Sequence, residues 1–195
     1  DQFLKNLEEY HCSLYTHTSE VDMDALFDRQ RALITHPMQP HEFYSVLAPV
    51  TASIGCGHSS LWMSEAYWTY SNGMLFPLRL RLIDGYAVVD GYNGAELDVP
   101  VGSIILSLNG RPMEEIIDDI AAGYAADAFN EGFRREQTLR RFPLVYVRQF
   151  GLPPGYAITY ALPGRKTRKE TQVPGTTLAD VRGEIFPAPK LSFEQ

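Results

Sequence analysis

Gly102-Ser103-Ile104-Ile105-Leu106-Ser107-Leu108-Asn109-Gly110-Arg111-Pro112 changes character twice along its length. Ser103 to Leu108 is a short apolar run of strand length. Asn109-Gly110 closes it with residues that tolerate left-handed backbone. Pro112 then opens a helix, where its missing N–H is one of the donors a first turn leaves unused anyway. In that helix Met113, Ile116, Ile117 and Ile120 share one face, while Glu114, Glu115, Asp118 and Asp119 form a solvated acidic face. The early acids suit the positive end of the helix dipole.

Upstream, Leu78, Leu80 and Leu82 alternate with Arg79 and Arg81, which predicts a half-buried strand. Asp84-Gly85 is a two-residue hairpin signal, and Tyr86 to Val89 is the returning strand. Downstream, residues 124–150 are mostly helical, with Phe129, Phe133, Leu139, Val145, Tyr146 and Phe150 as the apolar set and Pro143 as a kink or break. Residues 155–162 and 166–173 form a last hairpin across Pro163-Gly164. Strands with one principal helix and a helical insertion at 124–150 make an α+β unit over residues 74–175. Beyond it, residues 176–195, with Pro187 and Pro189, read as a linker or pairing arm.

Residues 1–73 are expected to form a small helical domain. Phe3, Leu4 and Leu7 share a face of a first helix. Ser19 and Asp22 form a capping box in its weaker aspartate form and start a second, with Val21, Ala25, Leu26 and Leu33 as its stripe. Thr35-His36-Pro37 ends it. Pro40 opens a third, carrying Phe43, Leu47, Val50 and Ile54, and Gly55 caps it. Ser64 caps a short helix that Asn72-Gly73 stops. The aromatics Trp62, Tyr67, Trp68 and Tyr70 are expected to pack against the neighbouring unit.

A net charge of −7 argues against nucleic acid, whose phosphates need a clustered basic surface. No apolar run approaches the ~18–20 residues of a membrane span. No phosphate loop and no metal-ligand spacing is present, so neither cofactor nor metal is expected. Chemistry concentrates in Ile54-Gly55-Cys56-Gly57-His58-Ser59-Ser60-Leu61. His58 is a base or a turn residue. A nucleophile within the same turn is disfavoured, because triad members come from separate segments, and no Gly-x-Ser-x-Gly elbow exists. Two cysteines, Cys12 and Cys56, permit one disulfide or two free thiols.

The Gly102–Pro112 segment, with the strands around it, resembles the central strand, turn and helix start of a PDZ-like domain, which binds extended peptides by strand addition. Phe43 through His58, then Phe76-Pro77-Leu78-Arg79, then Gly102–Pro112 stand in an order similar to the tail-specific (C-terminal processing) and tricorn-core serine peptidases. The resemblance implies a helical and PDZ-like portion of a larger secreted peptidase, with a peptide or protein substrate. Lys190-Leu191-Ser192-Phe193-Glu194 looks like the run-in to a further protease domain that holds the nucleophilic serine. In the tricorn-like branch the general base comes from this region, which carries over to His58, with Ser59 as the neighbouring orienting hydroxyl. In the other branch a lysine of the missing domain serves instead. The motif usually has Asp where Cys56 stands and Pro where Cys12 stands. Two departures in one helical unit imply a bond between them, two independent thiols being the alternative. A bond would close a loop worth about 4 kcal/mol and require an oxidising compartment. The expected location is extracytoplasmic, periplasmic or secreted, with a signal peptide removed before Asp1. The alternative is a stand-alone PDZ-like module that binds peptide tails without catalysis. Its groove would lie between the 112–122 helix and strand 76–83 or 86–90.

Overall fold

Three helices open the chain: α1 (Gln2–Tyr10), α2 (Glu20–Ala32) and α3 (Pro40–Ser53). The computed structural model describes residues 2–162, 165 and 167–185. The Pro163-Gly164 turn, Pro187, Pro189 and the Lys190–Glu194 run lie outside the described residues. Ser19 starts α2 as expected, its Oγ accepting from the Asp22 N–H at 3.2 Å. The helices meet over Leu14, Met23, Phe27, Val50 and Ile54.

Of the stripe expected on α2, Leu26 packs against this core, but Val21, Ala25 and Leu33 are exposed. Met23 and Phe27 are buried, whereas Val21 is 77% and Leu33 54% exposed. Met23 and Phe27 stand one turn apart on the face toward α3. Val21 lies about 200° around the helix from Met23. On α3, Val50 and Ile54 are buried but Phe43 is not. Val46, Ala48 and Ala52 are buried too, because α3 is covered on two sides, by α2 and by the helix over Phe142–Phe150.

After α4 (Glu65–Tyr70) the period changes and a six-stranded sheet begins. Its strands are β1 (Leu78–Ile83), β2 (Tyr86–Tyr92), β3 (Ile104–Leu108), β4 (Arg111–Pro112), β5 (Tyr156–Ala161) and β6 (Arg168–Val173). The order is β1-β2-β3-β5-β6, all antiparallel, with the short β4 folded back on β3. The β1–β2 turn carries Asp84 at φ 49° and Gly85 at φ 84°, the paired positive angles of a tight hairpin. α5 (Met113–Ala122) buries Met113, Ile116, Ile117 and Ile120, the face its spacing predicts. The chain is α+β.

The 124–150 segment divides at Arg141 into α6 (Glu131–Arg140) and α7 (Phe142–Phe150), with Pro143 in the first turn of α7. Leu139, Val145 and Tyr146 join the sheet core. Phe129 and Phe133 stay largely exposed. α6 packs against both α5 and β1. Of the four aromatics around α4, Tyr67 is buried and its hydroxyl donates to the Val147 carbonyl at 2.6 Å. Tyr70 is exposed instead, on the face of α4 away from the core, and Trp62, before the helix, is exposed as well.

The tail is not simply a linker. Thr176 bridges to Leu75, and α8 (Leu178–Ile185) follows, burying Val181 in the main core. Asp180 accepts from both the Thr177 and Thr176 hydroxyls, which pins the start of the helix. No helix among the described residues is long and apolar enough to cross a membrane.

Candidate functional site

The turn that carries His58 is built where α3 stops. Ile54 ends the helix, and Gly55 follows at φ +68°, the left-handed geometry glycine accepts without strain. A second segment pins the turn from outside. The Ala128 N–H donates to the Gly55 carbonyl at 3.1 Å, and the Gly57 N–H donates to Asp127 Oδ1 at 2.6 Å. That segment is itself strained. Ala128 (φ 49°) and Phe129 (φ 62°) are both left-handed without being glycine, at roughly 1–2 kcal/mol each. The Phe129 ring meets His17 edge-on at 6.0 Å and lies under the Arg134 guanidinium at 5.5 Å. Arg134 also donates to the Ala52 carbonyl near the end of α3. These contacts hold the two segments together.

His58 is exposed on this turn, and its ring makes no hydrogen bond among the described residues. Ser59 is engaged elsewhere. Its Oγ lies 3.0 Å from His11 Nε2. The Ser13 N–H donates to His11 Nδ1 at 3.3 Å. That assigns the proton to Nε2, which donates to Ser59. The hydroxyl thus ties the turn to the end of α1, a link the sequence did not reveal. Cys12 is exposed, Cys56 is half-buried, and both are free thiols. The Cys12–Cys56 bond is not formed here. Cys56 packs onto the small helical core, while Cys12 faces solvent beside Ser13.

The structure brings Cys56, His58 and Asp127 together, with one ligand-type atom from each lying within 4.8 Å of the others. Asp127 is the residue sequence reasoning missed. It stands far along the chain, and only the Asp127–Phe129 3-10 turn, bent by its left-handed residues, aims it at Gly57. No periodicity signals that approach.

A cavity of about 270 Å³ opens beside the turn, lined by Gly57, Ser59, Ser60 and Leu61 and walled by Tyr44, Trp62, Trp68, Tyr124 and Arg148. Arg148 donates to the Leu61 carbonyl and lies over the Tyr44 ring at 5.4 Å. Burial pushes the Tyr67 phenol up to about 12, partly offset by the Arg148 charge. The Tyr44 phenol is raised too, chiefly by burial. The Tyr67 phenol therefore stays a neutral donor at ordinary pH. A second, larger cleft of about 800 Å³ runs between β1 and α6, where Arg79, Leu80, Arg81 and Leu82 face Glu136, Leu139 and Arg140. This cleft does not lie between the 112–122 helix and strand 76–83, because α6 rather than α5 packs beside β1.

An exposed imidazole on a pinned turn, next to an aromatic cavity, can take a proton from a nucleophile presented by another segment. Ser59, bound to His11, is not placed as that nucleophile. Comparison with protein-family models gives no match, and comparison with curated proteins gives none either. Solved structures do match. A crystal structure of a point mutant of CPAF (chlamydial protease-like activity factor), a serine protease, superposes with TM-score 0.61 at 15% identity, covering 89% of this chain and 32% of that one. Mature CPAF matches with TM-score 0.56 at 14% identity, over 99% of this chain and 38% of that one. Mature CPAF complexed with lactacystin matches with TM-score 0.58 at 14% identity, over 97% and 37%. The chain thus spans about a third of the length of these structures and shares the fold of that portion.

Proposed function

We propose that this chain is the non-catalytic portion of a serine-type peptidase and supplies the general base, His58, to a nucleophilic serine in a protease domain outside it. The observation that carries the proposal is the state of His58. Its ring is exposed and unpartnered, on a turn pinned at Gly55 and Gly57, in a fold shared with a serine protease. A buried structural histidine would spend its ring nitrogens on neighbours. A base must keep one free for the nucleophile. Ser59 contributes by anchoring the turn through His11 rather than by touching the reacting atoms. The finer assignment, a tricorn-like arrangement with a PDZ-like domain in an extracytoplasmic peptidase, belongs to the same proposal.

His58→Ala in the full-length protein should lower kcat by about 10²–10⁴-fold, the usual contribution of a positioned base. Near-normal turnover would overturn the assignment and leave the lysine of the missing domain as the base.

One observation favours a second role. Among the described residues β1 pairs only with β2, and Arg79 to Leu82 of β1 line the 800 Å³ cleft against α6 together with Asp90 and Asn93. An extended peptide could add to that edge. Peptide titration on this chain, with a proline placed in the middle of the peptide to remove a ladder donor, tests strand addition. Binding that ignores the proline would exclude it.

A further inference from the structure

We propose that Cys56, His58 and Asp127 form a site for one divalent transition-metal ion, best suited to Zn²⁺, which sequesters the His58 imidazole. The three residues offer a thiol sulfur, an imidazole nitrogen and a carboxylate oxygen, all within 4.8 Å of one another. Ligand atoms around a tetrahedral Zn²⁺ stand about 3.5 Å apart at ordinary bond lengths. The exposed side chains of His58 and Asp127 need only small rotations to close that gap. The donor set selects the ion. A thiolate with an imidazole is too soft for Mg²⁺ or Ca²⁺, which take oxygen shells.

The supporting shell is already in place. The Gly57 N–H holds Asp127 Oδ1 at 2.6 Å, which orients the carboxylate and leaves Oδ2 for an ion. The Ala128 N–H to Gly55 carbonyl bond fixes the distance between the two segments. The left-handed Ala128 and Phe129 hold Asp127 in this position at a cost in backbone strain. Three protein ligands leave a fourth position for water.

An ion bound to the ring takes the lone pair that a base needs. Occupancy would therefore switch off proton transfer, a consequence that rests on the reading of His58 as the base. The site itself does not depend on that reading.

The test uses the whole 195-residue chain, reduced, titrated with Co²⁺ and then displaced by Zn²⁺. One equivalent should bind, with a thiolate-to-cobalt charge-transfer band. Cys56→Ser should abolish the band. Asp127→Asn keeps an acceptor for the Gly57 N–H and should still weaken Zn²⁺ at least about tenfold, as should His58→Gln. Cys12→Ser should change nothing. Far-UV circular dichroism of each metal-free variant confirms that it is folded. Absence of the band, loss of the band in Cys12→Ser with retention in Cys56→Ser, or Zn²⁺ affinity unmoved by Asp127→Asn would each overturn the site. In the full-length peptidase, Zn²⁺ should inhibit turnover. Zn²⁺ bound at this site without inhibition would refute sequestration of the base while leaving the site standing.

Discussion

Replacing Gly55 by alanine attacks the turn that carries His58 in two separable ways. The first is backbone. Gly55 sits at φ +68°, where a Cβ costs about 1–2 kcal/mol. The second is space. The new methyl would lie 2.9 Å from both Cβ and Cδ2 of His17 and 3.0 Å from its Cγ. His17 Cβ is fixed by its own backbone, so rotating the ring away does not remove the contact. Overpacking of this kind costs about 1–3 kcal/mol, for a total of roughly 2–5 kcal/mol. Urea unfolding monitored by circular dichroism reads that total as a lower midpoint at unchanged slope. Repeating Gly55→Ala in a His17→Gly background separates the terms. The steric part should vanish and the backbone part remain, so the double-mutant coupling should be about 1–3 kcal/mol. A loss below about 0.5 kcal/mol, within ordinary surface variation, would refute the account of the turn. An equal loss in both backgrounds would refute the steric part. In the full-length protein the same change should also lower turnover, since Gly55 anchors the segment that presents His58.

Gly175→Ala should be more damaging than its position near the end of the sheet would indicate. The added Cβ would overlap the Gly73 carbonyl oxygen and lie 2.7 Å from Met74 Cα, all backbone with no side chain to swing aside. Thermal unfolding should show a lower Tm by about 2–4 °C for each kcal/mol lost in a chain of this size, and an unchanged Tm would contradict that packing. Asp180 sets an acid dependence. The Thr177 hydroxyl, then the Thr176 hydroxyl and the Thr177 N–H, hold its carboxyl below the usual range. The folded state therefore binds its proton later than the unfolded chain. The stabilisation is complete above the ordinary carboxylate pKa and is lost as pH falls through the lower folded value. Urea midpoints measured between about pH 5 and about pH 3 should fall more steeply for the natural chain than for Asp180→Asn, and parallel curves would reject the assignment.

The fold was legible where local periodicity and tertiary packing agree. Met113, Ile116, Ile117 and Ile120 on α5 and the Leu-Arg alternation of β1 face the core as their spacing predicts. Asp84-Gly85 and the Ser19 cap work through neighbours in sequence, so the chain alone reveals them. On α2 the apolar residues Val21, Met23, Leu26 and Phe27 do not define one face, and only packing against α3 decides that Met23, Leu26 and Phe27 are covered while Val21 is not. Residues 178–185 carry no clear period, and it is tertiary packing that places Val181 in the core and Leu178 against it.

The candidate site divides in the same way. His58, its flanking glycines and the end of α3 were determined by the sequence itself, since a helix stop and a glycine turn are properties of adjacent residues. Which side chains stand around His58 was decided only by tertiary structure. Ser59 faces His11 across 48 positions and Gly57 meets Asp127 across 70. The first pairing depends on packing within the helical unit and the second on how that unit meets the later insertion, and no short-range pattern encodes a contact between segments that far apart.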